Sequence, residues 1–457
     1  MLSTRSSRIR GSGRFSSIVS FAANVLVTIT LAVFVCCLLT VPSHAQTLSL
    51  GTLATNGSPA ACNSGAGFYY YVYPNTGLAV DMTCQAATVN GCSQVINGQT
   101  ITPSPWNVTI GYLNPVGIVS GVTTANGLVV LHGGSGGEMP ESFALADAYF
   151  RAGFEVVQVS WADDWELISD PLTGTGNIQV AACRPATVFN WVNQNLFLPG
   201  VLGNNKAAGM CAVGDSAGSA AVVYSLAYYG AYNWFDYVSL LSGPVFGDIE
   251  QGCGVGNNLG KNDPITVCDP TKGNDGWGCK LGANGSTWTL PAEYVGGAQT
   301  AVQGWTNEPD QCAGTSNTTD PSNTDWLRES IVDQPPATGG PTPTFTYPQT
   351  AMSAWLCRPP IQNQNPNCAA NNYNNSNVCP NNSSTQGQIF YQNIPSGTSN
   401  YSLYAVDQCQ TAEGVAAGNV PGYQAQVFGG TIKGLLAITY DMIGYESVIA
   451  PQCVRRH

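Results

Sequence analysis

The sequence predicts an α/β fold, a mostly parallel central sheet flanked by helices and broken by a disulfide-rich insertion. Three observations carry this. Between Gly127 and Leu241, β-like apolar runs alternate with helical segments, the pattern of parallel strands joined by right-handed crossovers. Within that region a serine sits in a glycine-flanked turn, Gly214-Asp215-Ser216-Ala217-Gly218, between an apolar strand and a buried helix. From about Pro244 the alternation gives way to Gly, Asn, Asp, Pro, Thr and cysteine, and strand-like runs return near Thr350.

The N-terminus reads as a targeting segment. Arg5, Arg8, Arg10 and Arg14 precede an apolar run from Ile18 to Val41, and Ser43-His44-Ala45 offers a small-x-small cleavage site before Gln46. Residues 1–45 are thus a signal peptide cleaved after Ala45, or an anchor if left uncut, since the run is long enough to span a bilayer. Membrane attachment would depend on that anchor alone. Cleavage would remove four arginines and no acids, leaving 11 basic and 27 acidic residues and a net charge of −16. So acidic a chain excludes a nucleic-acid partner. Fourteen cysteines follow Ala45, and an even number behind a secretory signal predicts disulfides and a secreted, periplasmic or extracellular location. With no C-x-x-C pair and only His132 and His457 in the mature chain, no metal site is expected.

Taken in order, the first part of the mature chain offers short antiparallel strands over 67–73, 78–82 and 106–112, separated by Gly, Pro and Asn turns. The tyrosine-rich run from Gly67 to Tyr73 reads as packed strand aromatics, with a glycan- or polymer-facing surface as the alternative. Gly127-Leu128-Val129-Val130-Leu131 is the next strand, followed by His132-Gly133-Gly134 and a helix from about Pro140 to Ala152, proline standing near its first turn. A strand over 154–161 and a helix from Ile178 to Phe197, ended by Pro199-Gly200, lead to the strand of 207–213. The serine turn comes next, then a helix over 219–229 ended by Gly230, then a strand over 236–241. These give a first core segment over 46–243, a cap or insertion over 244–349 stapled by Cys253, Cys268, Cys279 and Cys312, and a second core segment over 350–457. The last contains strands at 350–357 and 401–406, a helix at 431–445 and a tail tied down by Cys453.

A strand, a sharp glycine-flanked turn holding a serine, and a helix together make a nucleophile elbow. The glycines serve a turn too tight for a Cβ and let helix and strand approach closely. The helix N-terminus would point free amides at an oxyanion formed beside the serine. Gly133-Gly134-Ser135-Gly136-Gly137 spells the same motif, but it follows a strand and a histidine, 84 positions before Ser216. The His-Gly-Gly turn and Gly-Asp-Ser-Ala-Gly together resemble the α/β-hydrolase superfamily, nearest its esterase and lipase branch related to hormone-sensitive lipase. The resemblance covers roughly Gly127 to Gly243. It implies the α/β-hydrolase fold, Ser216 as nucleophile, and an oxyanion hole from the amides of Gly133, Gly134 and Ala217.

A serine hydroxyl needs a base, almost always an imidazole, and an acid to orient that base. The resemblance implies an acid after the strand at 350–357 and a histidine after the strand at 401–406. The sequence departs from the family at both places. No Asp, Glu or His lies between Asp333 and Asp407, and the last strand runs into Asp407-Gln408-Cys409-Gln410-Thr411. Asp248 or Glu250 occupies an alternative acid position known in the fold. His132 is a candidate surrogate base, His457 a remoter one, and Asp215 reads as structural. Two functions remain open. One is a serine carboxylic-ester hydrolase acting on a small-molecule or polymer ester, requiring no cofactor. The other is an inactive hydrolase-fold protein serving as a binding or adhesion module.

Overall fold

The computed structural model describes residues 48–62, 71–72, 79–96, 99–133, 143–166, 178–215, 217–241, 280–281, 288–289, 331, 343–357, 390–391, 394, 401–406 and 453–456. The N-terminal region forms strands β1 (Thr52–Thr55), β2 (Ala60–Ala61), β3 (Tyr71–Val72), β4 (Ala79–Val80), β5 (Thr83–Asn90), β6 (Gln94–Ile96), β7 (Gln99–Ile101) and β8 (Trp106–Leu113). The core follows with β9 (Gly127–His132), α1 (Phe143–Arg151), β10 (Glu155–Trp161), α2 (Ile178–Ala181) and α3 (Cys183–Val192). After a wide π turn over Asn193–Val201 come α4 (Leu202–Asn204), β11 (Gly209–Asp215), α5 (Ala217–Tyr229) and β12 (Tyr237–Leu241). The remaining strands are β13 (Lys280–Leu281), β14 (Trp288–Thr289), β15 (Ala351–Cys357) and β16 (Tyr401–Val406).

The main sheet has the order β1-β5-β8-β10-β9-β11-β12-β15-β16, with β2 also paired to β5. From β10 to β16 every pairing is parallel, whereas β1, β5, β8 and the β8–β10 junction are antiparallel. The chain steps from β9 out to β10 and then back past β9 to β11, so the order reverses beside β9. A crevice at such a reversal, beyond the carboxyl ends of the strands, is where open α/β sheets bind ligands. Helices pack on a mostly parallel sheet, and this is the α/β-hydrolase fold.

The central strands read as unbroken apolar runs because both their faces are covered. On one face Leu128, Val130, Val157, Val159, Met210 and Ala212 pack with residues of α3 and α5, including Phe189 and Tyr224. On the other, Val129, Leu131, Val156, Cys211 and Val213 meet Leu145, Tyr149 and Phe150 of α1. Every residue of α5 is buried, and its first five residues are Ala, Gly and Ser. Gly230, at φ +72°, ends that helix as expected.

One boundary differs from the sequence reading. The helix expected to stop at Pro199-Gly200 runs on to Asn204, with Pro199 inside the π turn. In an α-helix the pyrrolidine ring would strike the carbonyl four residues back. A π turn shifts the bonding to five residues and relieves that clash.

Among the described residues three disulfides are formed, Cys62–Cys84, Cys92–Cys183 and Cys211–Cys453. The last ties the C-terminus to β11, where Ala208 and Val454 form an antiparallel bridge and Arg455 N–H donates to Ala207 O at 3.0 Å. Most of the 244–349 insertion, including its four cysteines, the body of the tyrosine run and the expected helix at 431–445 lie outside the described residues. No helix among the described residues is long and apolar enough to cross a membrane.

Candidate functional site

β11 ends at Asp215 and α5 begins at Ala217; Ser216, between them in sequence, lies outside the described residues. The surrounding frame is described on both sides. In the β11–β9 ladder Gly214 stands opposite His132, which brings the His132-Gly133 turn alongside the elbow. A Cβ on Gly214 would sit 2.5 Å from Gly218 O and 2.8 Å from Ser219 Cα. One on Gly218 would overlap the carbonyl oxygens of His132 and Gly133. Both glycines are required by closeness, one for the turn itself and one for its contact with the His-Gly turn.

Ser219 fastens the elbow from below. Its buried hydroxyl lies 2.6 Å from Gly214 O and 2.9 Å from Leu241 O, one proton shared between two carbonyls at the ends of β11 and β12. Ala217 is buried as the first residue of α5, where backbone amides lack intrahelical partners and the helix dipole is positive. Gly133 is buried beside it. Gly134, Asp248, Glu250 and His457 lie outside the described residues.

His132 is fully buried at the end of β9. Trp161 Nε1–H donates to its Nε2 at 3.0 Å, which fixes the tautomer with the proton on Nδ1. Nδ1 in turn faces Gly133 O at 3.2 Å. Phe189 closes the ring in edge-on, 6.0 Å between centroids. Burial lowers its pKa to about 4, the bond to Gly133 pulling weakly the other way. Against the surrogate-base expectation for His132, its one lone pair is already bonded to the indole, and burial makes the ring a weak base. The geometry fixes His132 between Trp161, Phe189 and the Gly133 carbonyl.

The residues just before His457 are held at Asp236. Arg456 N–H donates to Asp236 Oδ1 at 2.6 Å, and Met210 N–H donates to Asp236 Oδ2 at 2.9 Å. Asp236 is fully buried just before β12, and Arg455 NH1 lies 3.9 Å from its Oδ2. This is the amino end of the strands. Ser216 follows the carboxyl end of β11, about 3.3 Å per residue away over Gly209–Asp215.

The loop after β10 borders the same carboxyl edge. Buried Arg184 of α3 donates to Trp165 O at 2.7 Å and lies over the Trp106 ring at 4.1 Å. Burial lowers its pKa to about 9, while the negative charge of Glu166 works to raise it. Sequence reasoning missed Trp161, Ser219 and Arg184. Only Ser219 left a local signal, a small polar residue one helical turn past the elbow. Among the described residues no group of three or more His, Cys, Asp or Glu could hold a metal ion.

No protein-family model and no curated protein matches the chain. Solved structures similar to it include an esterase of Pyrobaculum calidifontis, 12% identical, TM-score 0.34, with 76% of this chain and 81% of that one covered. A carboxyl esterase of the mycorrhizal fungus Tuber melanosporum is likewise 12% identical, TM-score 0.34, over 73% and 78%. The thermostable carboxylesterase EstE1, cloned from a metagenomic library, is 12% identical, TM-score 0.32, over 77% and 85%.

Proposed function

We propose that the chain is a secreted hydrolase-fold protein that binds a small-molecule or polymer ester at its serine elbow without imidazole-driven turnover. It is then a binding module on an esterase scaffold. The observation that carries this reading is the fate of the two histidines left after a cleavage at Ala45. The lone pair of His132 is bonded to Trp161, and His457 follows Arg456, whose amide is bonded to Asp236 at the amino end of the sheet. Secretion is supported by the basic and apolar N-terminus and by the three disulfides.

A second reading is favoured by the close contact of Gly218 with the His132-Gly133 turn, which a purely structural elbow would not need. In it Ser216 gives its proton to His457, oriented by Asp248, and attacks an ester carbonyl whose oxyanion is held by the amides of Gly133, Gly134 and Ala217. One experiment separates the two. The oxidised protein is treated with a fluorophosphonate probe and its intact mass compared with that of Ser216→Ala. No adduct on either protein is the expected result. An adduct that requires Ser216 overturns the binding reading and establishes an activated nucleophile.

A further inference from the structure

The sequence contains eight Asn-x-Ser/Thr triplets with x other than proline, and two fall wholly within the described residues: Asn56-Gly57-Ser58 and Asn107-Val108-Thr109. In a secreted chain this triplet is the acceptor for N-linked oligosaccharide. Such a triplet is informative only where its carboxamide can be reached. Asn56 directly follows β1, in a turn whose next residue, Gly57, has φ +81°, and Asn56, Gly57 and Ser58 are all exposed. Asn107 is exposed as well, on β8.

The fold brings these two sites, distant in sequence, onto one surface. Thr88 of β5 pairs with Asn107 on one side and Ala54 of β1 on the other. Its hydroxyl joins them: Asn56 Nδ2 donates to Thr88 Oγ1 at 3.0 Å, and Thr88 Oγ1 donates to Asn107 Oδ1 at 2.8 Å. Beside this patch runs β1, the edge of the main sheet. Among the described residues it pairs only with β5, and three of its four residues are exposed. Edge strands are natural templates for pairing with another chain, and proteins blunt them with charge, proline, a bulge or a cover. The sequence Thr52-Leu53-Ala54-Thr55 has neither charge nor proline.

We propose that Asn56 carries an N-linked oligosaccharide in the secreted protein and that this glycan screens the β1 edge. The donor is an oligosaccharide on a lipid diphosphate, supplied by the secretory compartment. The Asn56 carboxamide nitrogen bonds to the anomeric carbon of the sugar. The carbon–oxygen bond to phosphate breaks, the lipid diphosphate leaves with the electron pair, and the nitrogen sheds one proton. Asn107, bridged to Asn56 through one hydroxyl, occupies the same space, so the patch holds a single glycan.

The proposal rests on secretion, and the test reads the two separately. The full chain is expressed in a eukaryotic cell, its location is recorded, and the protein is digested after enzymatic amide-cleaving deglycosylation. With the deglycosylation run in oxygen-18 water, oxygen-18-labelled aspartate at position 56 is expected by peptide mass spectrometry, a label that earlier spontaneous deamidation of Asn56-Gly57 does not carry. Unmodified Asn56, in medium or retained in the cell, overturns the proposal, while location alone reports on secretion. Ser58→Ala keeps Asn56 but removes the hydroxyl of the triplet, and loss of that one glycan is expected; its persistence overturns the assignment. The Ser58→Ala protein should also sediment as a larger species than the parent. Unchanged sedimentation overturns the screening role.

Discussion

Trp161 and His132 meet across the β9–β10 boundary, indole N–H to imidazole Nε2 at 3.0 Å, inside a region from which water is excluded. In the ladder His132 stands opposite Val159, so Trp161, two residues on, points to the same face. Trp161→Phe keeps most of the ring volume and removes the donor. A buried acceptor left without its partner costs about 1–3 kcal/mol. Urea unfolding should show a loss of that size, and an unchanged midpoint would mean the bond holds nothing in place.

The pH dependence of stability should carry two opposed contributions. Below pH 6.5 the unfolded chain takes up a proton that folded His132 refuses until about pH 4, so stability is lost as the pH falls through that window. Glu155, buried at the start of β10, runs the other way. Burial raises its carboxyl to about 7 from 4.5, so the stability it contributes is complete below pH 4.5 and lost as the pH rises to about 7. Glu155→Gln retains an oxygen to accept from Asn114 and removes the second slope. Urea midpoints of this variant should rise more steeply with pH between 4.5 and 6.5 than those of the parent. A parallel profile would contradict the assignment.

Two glycines make a matched pair. Gly218→Ala places a methyl group against the backbone carbonyls of His132 and Gly133, neither of which can swing aside. The variant should lose at least about 1–3 kcal/mol, as overpacked sites do. Gly200, in the π turn, has nothing within 4 Å of a built Cβ. Gly200→Ala should gain about 0.4–1 kcal/mol by restricting the unfolded chain. Thermal unfolding of the two variants side by side is the check.

The elbow and the strands were legible because their signals are local. Tyr401–Val406 was delimited by its apolar run between turn residues, and Gly214 and Gly218 by the spelling of the turn. What stayed hidden were partnerships between distant residues. Nothing near His132 in sequence announces Trp161, and no periodicity marks Cys453 as the mate of Cys211 rather than of twelve others. The helix end at Pro199 was misplaced for a related reason. Proline breaks an α-helix by its clash one turn back, and the sequence alone does not show that the turn there widens.

The C-terminal anchor yields a further prediction. Asp236→Asn keeps an oxygen for one of its two backbone donors, Met210 N–H or Arg456 N–H, but turns an amide N–H toward the other. A loss of about 1–3 kcal/mol is expected, read by denaturant unfolding. Deleting His457 alone should change neither stability nor any ester turnover. A fall in turnover on that deletion would restore His457 as a catalytic group.

Cys211 lies in the middle of the sheet and Cys453 in the tail, 242 positions later. During synthesis Cys211 can therefore meet its mate only after 242 further positions have been delivered. A chain cut short by its last five residues is not simply a smaller protein. It carries an unmated sulfur in its central strand and leaves the β11 edge of the tail unclosed. The tail thus completes the covalent frame of a strand laid down 242 positions earlier.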